Sequence, residues 1–170
     1  MMRAPLLLAP LLLLTACGLR PLYGGAESGA RATLSQVQVT PIAGQAGWLM
    51  TTALKDRLAA VDGAAARYRL DVRLDDSITG LGVRRDDTIS RERRTLRARY
   101  QLVDLTSGTT VLDTTAGSDA GIDVVGSEYA TIAAEQTALE RLSGIVADQI
   151  VARIALYGQR TGVQAAPPRQ

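Results

Sequence analysis

Two kinds of residue in this 170-residue chain could do chemistry: a lone cysteine and a dense run of arginines. Cys17 closes the sequence Leu14-Thr15-Ala16-Cys17, an aliphatic residue and two small ones before a thiol. Small side chains leave the backbone before the cysteine open to a peptidase, and the thiol can accept a lipid. The preceding residues fit. Arg3 gives a positive start, and an apolar run follows from Ala4 to Leu14. That run falls short of the roughly 20 apolar residues needed to span a bilayer and has the length of a signal-peptide core. The pattern is the lipobox of bacterial lipoproteins. Residues 1–16 are therefore expected to be a signal peptide, and Cys17 to carry S-diacylglycerol and an N-acyl chain. At about 0.8 kcal/mol per buried methylene, more than one acyl chain makes a stable anchor. Gly18, where an aspartate would favour inner-membrane retention, points to the outer membrane.

The arginine run comprises Arg84, Arg85, Arg91, Arg93, Arg94, Arg97 and Arg99, with Asp86, Asp87 and Glu92 as its acidic neighbours. A guanidinium is a planar fork that pairs bidentately with phosphate or carboxylate. So many in a short stretch suit a polyanionic ligand: nucleic acid, an anionic lipid head group or an acidic partner. Export beyond the cytoplasm argues against nucleic acid. The plainer reading is a solvated strand face in a chain whose basic residues, Lys55 apart, are all arginine.

Other chemistry is poorly supplied. There is no histidine, which removes the commonest metal ligand and general base. A single cysteine excludes an internal disulfide and any thiolate zinc cluster built by this chain alone. No glycine-rich phosphate loop is followed by lysine, and no cofactor is expected beyond the lipid. The pairs Asp75-Asp76 and Asp86-Asp87 have arginines nearby. An unrecognised hydrolase would need turnover that is lost when these aspartates are replaced. The expectation is a non-enzyme with no metal site.

The elements that must position these residues follow from periodicity. Residues 17–32 read as a tether, flexible from Gly24 to Arg31. Thr33 to Ile42 reads as a strand ended by Pro41. Gly47 to Val61 has helical spacing, with Met50, Leu54, Leu58 and Val61 in register. Arg67 to Asp75 and Thr95 to Leu102 alternate, placing Tyr68, Leu70, Val72, Leu74 and Leu96, Ala98, Tyr100, Leu102 inward. Thr106-Ser107-Gly108 is a turn, and a strand from Thr109 to about Thr115 should close a hairpin. Gly117 to Gly126 reads as a loop or frayed strand. Ser127 is an N-cap, and a long helix runs from Glu128 to about Tyr157. The order β-α-β-β-β-α gives an α+β two-layer sandwich: two helices on one face of a four-stranded, mostly antiparallel or mixed sheet. One domain spans 33–158, with a disordered tail over 159–170.

The stretch Cys17-Gly18-Leu19-Arg20-Pro21-Leu22-Tyr23 resembles the start of the LptE family of lipopolysaccharide-assembly lipoproteins, whose element order is also similar. The resemblance implies a lipid-anchored outer-membrane component that plugs a large β-barrel, LptD, assists its assembly and binds lipopolysaccharide on its way to the surface. Such a chain would face the periplasm or sit in the barrel lumen. Arg91, Arg93, Arg94, Arg97 and Arg99 would then be the natural contact for the anionic ligand, by chemistry and strand placement. The alternative is an accessory or scaffold lipoprotein of another envelope lipid-transport complex, without lipopolysaccharide binding.

Overall fold

The computed structural model describes residues 29–59, 65–83, 89–124 and 126–165. The signal segment, Cys17, the tether as far as residue 28, and Arg84 to Asp87 lie outside them. The elements run α1 (Gly29–Leu34), β1 (Val37–Val39), α2 (Gly44–Ala59), β2 (Tyr68–Val83), β3 (Ile89–Asp104), β4 (Thr110–Asp123) and α3 (Glu128–Ala165). Together they make an α+β fold in which the helices pack on one face of a four-stranded mixed sheet of order β1-β2-β3-β4. β1 pairs parallel with β2 through the α2 crossover, and the later pairs are antiparallel.

Strand alternation decides which side chains enter the core. On β3, Leu96, Ala98, Tyr100 and Leu102 are buried, and Leu74, Val72 and Leu70 of β2, opposite the last three, share that face. The helices answer with stripes at helical spacing: Met50, Leu54 and Leu58 on α2, and Leu139, Leu142, Val146, Ile150 and Ile154 on α3. Tyr157 of α3 meets Tyr68 edge-on, ring centroids 6.2 Å apart. Thr106-Ser107-Gly108 makes the expected turn. Gly108 lies at φ 70, its N–H donates to the Asp104 carbonyl at 2.8 Å, and the Asp104 carboxylate accepts from Thr106 N–H at 2.8 Å. Ser127 caps α3, its hydroxyl accepting from Ala130 N–H at 3.4 Å.

The structure departs from the sequence reading in extent. Thr33 and Leu34 belong to a third helix, α1, rather than to a strand, and α1 begins inside the expected tether. Its signal is weak because a six-residue helix has little stability of its own. It forms by packing Ala30, Thr33 and Leu34 against α3, where a Cβ on Gly158 would lie 2.6 Å from the Gly29 carbonyl oxygen. The first strand shrinks to Val37–Val39. β2 and β3 each reach 16 residues, and β4 absorbs Gly117 to Asp123, part of the segment read as a loop or frayed strand. α3 runs 38 residues, past the expected stop at Tyr157. At 1.5 Å per residue α3 is about 57 Å long, close to the roughly 54 Å of β3 at 3.4 Å per residue. No helix among the described residues is long and apolar enough to cross a membrane.

Ile150→Ala should lower the unfolding free energy by about 2–4 kcal/mol, since the side chain is fully buried and its removal leaves a cavity. Ile132→Ala, on the exposed side of α3, should change it by less than about 0.5 kcal/mol. Urea titrations of the two variants check the contrast.

Candidate anion-binding face

The odd-numbered residues of β3 point away from the helices. Arg91, Arg93, Arg97 and Arg99 therefore share the outer sheet face, and all are exposed. At about 3.4 Å per residue they form two close pairs whose near members, Arg93 and Arg97, are roughly 14 Å apart along the strand. Arg94 has the opposite parity. It points under α3, where its Nη2 lies 2.6 Å from Asp76 Oδ2 and its Nη1 donates to the Glu135 carbonyl at 2.9 Å. Its side chain is only 12% exposed. Hydrogen bonding to Asp76 raises its pKa. The structure thus brings four of the five arginines together and sets Arg94 apart as a tie between sheet and helix.

The outer face is a lattice of both charges. The register sets Arg91 opposite Asp123, Arg97 opposite Asp75, and Arg99 opposite Arg73. Ion pairs join Arg91 to Asp123 at 2.9 Å, Arg99 to Asp113 at 3.1 Å, and Arg93 to Asp119 at 3.8 Å. Arg69 pairs with Asp71 at 3.0 Å along β2. Among the described residues of this face, six guanidiniums (Arg69, Arg73, Arg91, Arg93, Arg97, Arg99) stand against five carboxylates (Asp71, Asp75, Asp113, Asp119, Asp123). Arg73 and Arg97 enter none of the ion pairs among the described residues. Arg97 lies along β4, where a Cβ on Gly117 would come within 2.6 Å of its Cδ. Gly117 therefore gives that guanidinium its path. Asp75 and Asp76 fall on opposite faces of β2, so this pair cannot act as two carboxylates on one substrate.

Arg73 and Arg69 on β2 extend the basic surface beyond the run singled out in the sequence. Their alternation with Asp71 and Asp75 was legible, but their neighbours across the sheet were not. Among the described residues no three or more acidic, cysteine or histidine side chains converge as a metal site.

Three carboxylates have lowered pKa values. Asp113 is held down by its hydrogen bond to Arg99 and then by Gln101. Asp104 is held down by the Thr106 N–H and then by Arg67, and Asp148 by Arg57. A folded-state pKa below the unfolded value of about 3.9 contributes stability that is complete above that value and is lost as pH falls through the folded one. Stability should therefore be flat from neutral pH to about 5 and decline below about 4. Asp113→Asn and Asp148→Asn should each shallow that decline, as read from urea midpoints against pH.

The family described as LptE, lipopolysaccharide-assembly, matches residues 34–154. Solved structures with the same fold include a putative lipoprotein from Caulobacter crescentus, 24% identical over 76% of this chain and 96% of that one, with a TM-score of 0.62. A minor lipoprotein from Acinetobacter baumannii is 16% identical, covering 71% of this chain and 89% of the other, at 0.56. Rare lipoprotein B from Shewanella oneidensis is 11% identical, covering 76% and 96%, at 0.53. No curated protein sequence matches the chain.

Proposed function

Because this chain belongs to the LptE lipopolysaccharide-assembly family, we propose that it is the lipid-anchored outer-membrane partner of an LptD barrel, plugging that barrel and binding lipopolysaccharide on its outer sheet face. The observation that carries the ligand assignment is the open face of β3, where Arg91, Arg93, Arg97 and Arg99 stand together beside Arg69 and Arg73 of β2. Lipopolysaccharide presents phosphates and acidic sugars. Phosphate accepts bidentately from guanidinium, and exposed ion pairs of the kind on this face are each worth only about 0–1 kcal/mol. A multivalent anion can therefore displace the aspartates without a large penalty. Arg73 and Arg97 offer the first contacts.

The plug role draws on surface chemistry. A large membrane barrel has a polar interior, and a chain seated there needs a polar outside over its own core. The charged outer face provides this on one side of the sheet. Lipidation of Cys17 would hold the chain at the membrane, and the reaction it serves is transfer of a lipid, with no bond made or broken by its side chains.

Membranes extracted in mild detergent should yield a stoichiometric large β-barrel on a C-terminal tag. Recovery of an inner-membrane transporter instead would sink the assignment. Cys17→Ala should abolish incorporation of labelled fatty acid and leave residues 1–16 attached, as read by mass spectrometry. Arg97→Ala and Arg93→Ala should each weaken lipopolysaccharide binding by about threefold to tenfold, more at low salt. Arg94→Ala should leave binding nearly intact and reduce stability instead. If Arg94→Ala alone abolished binding in a folded protein, the ligand would sit on the helix side of the sheet.

A further inference from the structure

β4 ends the sheet, and half of its backbone groups face away from β3. Val124 N–H donates to the Ser90 carbonyl at 3.1 Å, so even-numbered residues at this end turn toward β3 and odd-numbered ones away. Gly117 follows the rule. Its N–H donates to Gln149 Oε1 at 3.1 Å, and its carbonyl accepts from Gln149 Nε2 at 3.4 Å. The Gln149 amide thus stands in for one peptide group of a fifth strand and closes the edge at that point. From Gly117 to Asp123 the register with β3 is unbroken. Asp119, Gly121 and Asp123 therefore present N–H and C=O outward at strand spacing, and no strand among the described residues pairs with them.

Beside this open edge lies a groove between β4 and the first half of α3. Ala120, Ile122, Ala133, Ala134 and Ala138 line it, and Arg141 stands at its rim. The small floor leaves room for side chains of a neighbouring strand. Arg141 is exposed and enters no ion pair among the described residues. An edge strand beside a helix groove is the arrangement that takes up extended peptides by strand addition, the backbone giving affinity and the groove selecting side chains.

We propose that the β4 edge from Asp119 to Asp123, with the groove against α3, receives an extended segment of a partner polypeptide as an added strand, an acidic side chain of that segment facing Arg141. Residues 166–170 cannot reach the site, because Ala165 is about 42 Å along α3 from Thr137 and five residues span at most about 18 Å. A second copy is disfavoured by charge, because antiparallel self-pairing about Gly121 sets each Asp119 against the other copy's Asp123, and like charges directly opposite are destabilising. The proposal does not rest on lipopolysaccharide binding.

The test uses the full mature chain in detergent micelles and capped peptides of alternating valine and threonine carrying one glutamate, with lysine counterparts. The Asp119, Gly121 and Asp123 amides should exchange rapidly in the free protein and become protected when the glutamate peptide is added. Gly121→Pro removes an N–H that the β3 ladder does not use. Its added atoms meet open space at the Cβ position, and proline is tolerated on a free strand edge. Gly121→Pro should weaken binding about tenfold while circular dichroism stays unchanged. Arg141→Glu should invert the preference, favouring the lysine peptides. Three outcomes would overturn the proposal: no binding to the unaltered protein, Arg141→Glu leaving the preference as it was, or the three amides already protected in the free protein. The last result would assign the edge to a second copy or to the chain's own N-terminal segment, which the concentration dependence of the protection distinguishes.

Discussion

The contact between the apolar stripe of α3 and the even-numbered face of the sheet is the interaction on which the other elements depend. Leu139, Leu142, Val146, Ile150 and Ile154 meet Leu96, Ala98, Tyr100 and Leu102 in one buried cluster, and the stripe of α2 joins it. α3 also carries α1, which has no other large partner. Each fully buried Leu or Ile side chain is worth about 1.5–3 kcal/mol against exposure. A lattice of exposed ion pairs at about 0–1 kcal/mol each cannot substitute for it. The fold is therefore a one-sided structure, held by apolar packing on the helix face and leaving the other sheet face to water.

That asymmetry makes the charged face possible. With period two, every arginine two residues from an outward one is outward as well, and every neighbour is inward. Arg91, Arg93, Arg97 and Arg99 obey this, and Arg94 is the exception that the same rule demands. Beyond Leu96 toward the β2–β3 tip the apolar core thins out, and the pair of Arg94 with Asp76 takes its place beneath α3. An ion pair that also donates to a helix carbonyl fixes the angle of the helix over the sheet, which bare alanines such as Ala133 and Ala134 would not. The outer lattice is the opposite case. Its pairs are exposed, weak and open to exchange, which is what a surface that binds and releases a polyanion requires.

Legibility in the sequence tracked this division. The strands over the core showed clean alternation because each inward position had to be apolar, as at Tyr68-Leu70-Val72-Leu74. Where the core ends, selection for apolar residues ends too. Gly117 to Asp123, small and polar, reads as a loop or frayed strand although it continues β4, and Ser77 to Val83 extends β2 beyond the alternating stretch. The order of elements, the hairpin turn and the Ser127 cap were legible because local chemistry decides them. α1 was not, because packing on Gly158 decides it. The side of Arg94 was legible in principle: it lies two residues before Leu96, on the same parity. Reading the arginines as a single compositional run concealed that. The roles of Gln149 and Arg141 are set by elements distant in sequence, and no local pattern marks them.

The two edges of the sheet are guarded unequally, and the difference follows from the length of the strands. At one side β1 covers only the start of β2, with Thr40 N–H reaching the Leu70 carbonyl and its hydroxyl reaching Asp71. At the other, among the described residues, a glutamine amide covers Gly117 of β4. Proteins usually blunt an exposed edge with charges, proline, bulges or a covering element. β4 has Asp113, Asp119 and Asp123 on its outer face, each paired with an arginine of β3; their charge opposes a second copy but leaves the backbone groups of the edge open. The long strands that build the arginine face thus extend the sheet beyond the stretch its helices and caps protect. The arginine-bearing face and an open backbone edge arise together from the same three strands, and Asp119 and Asp123 belong to both.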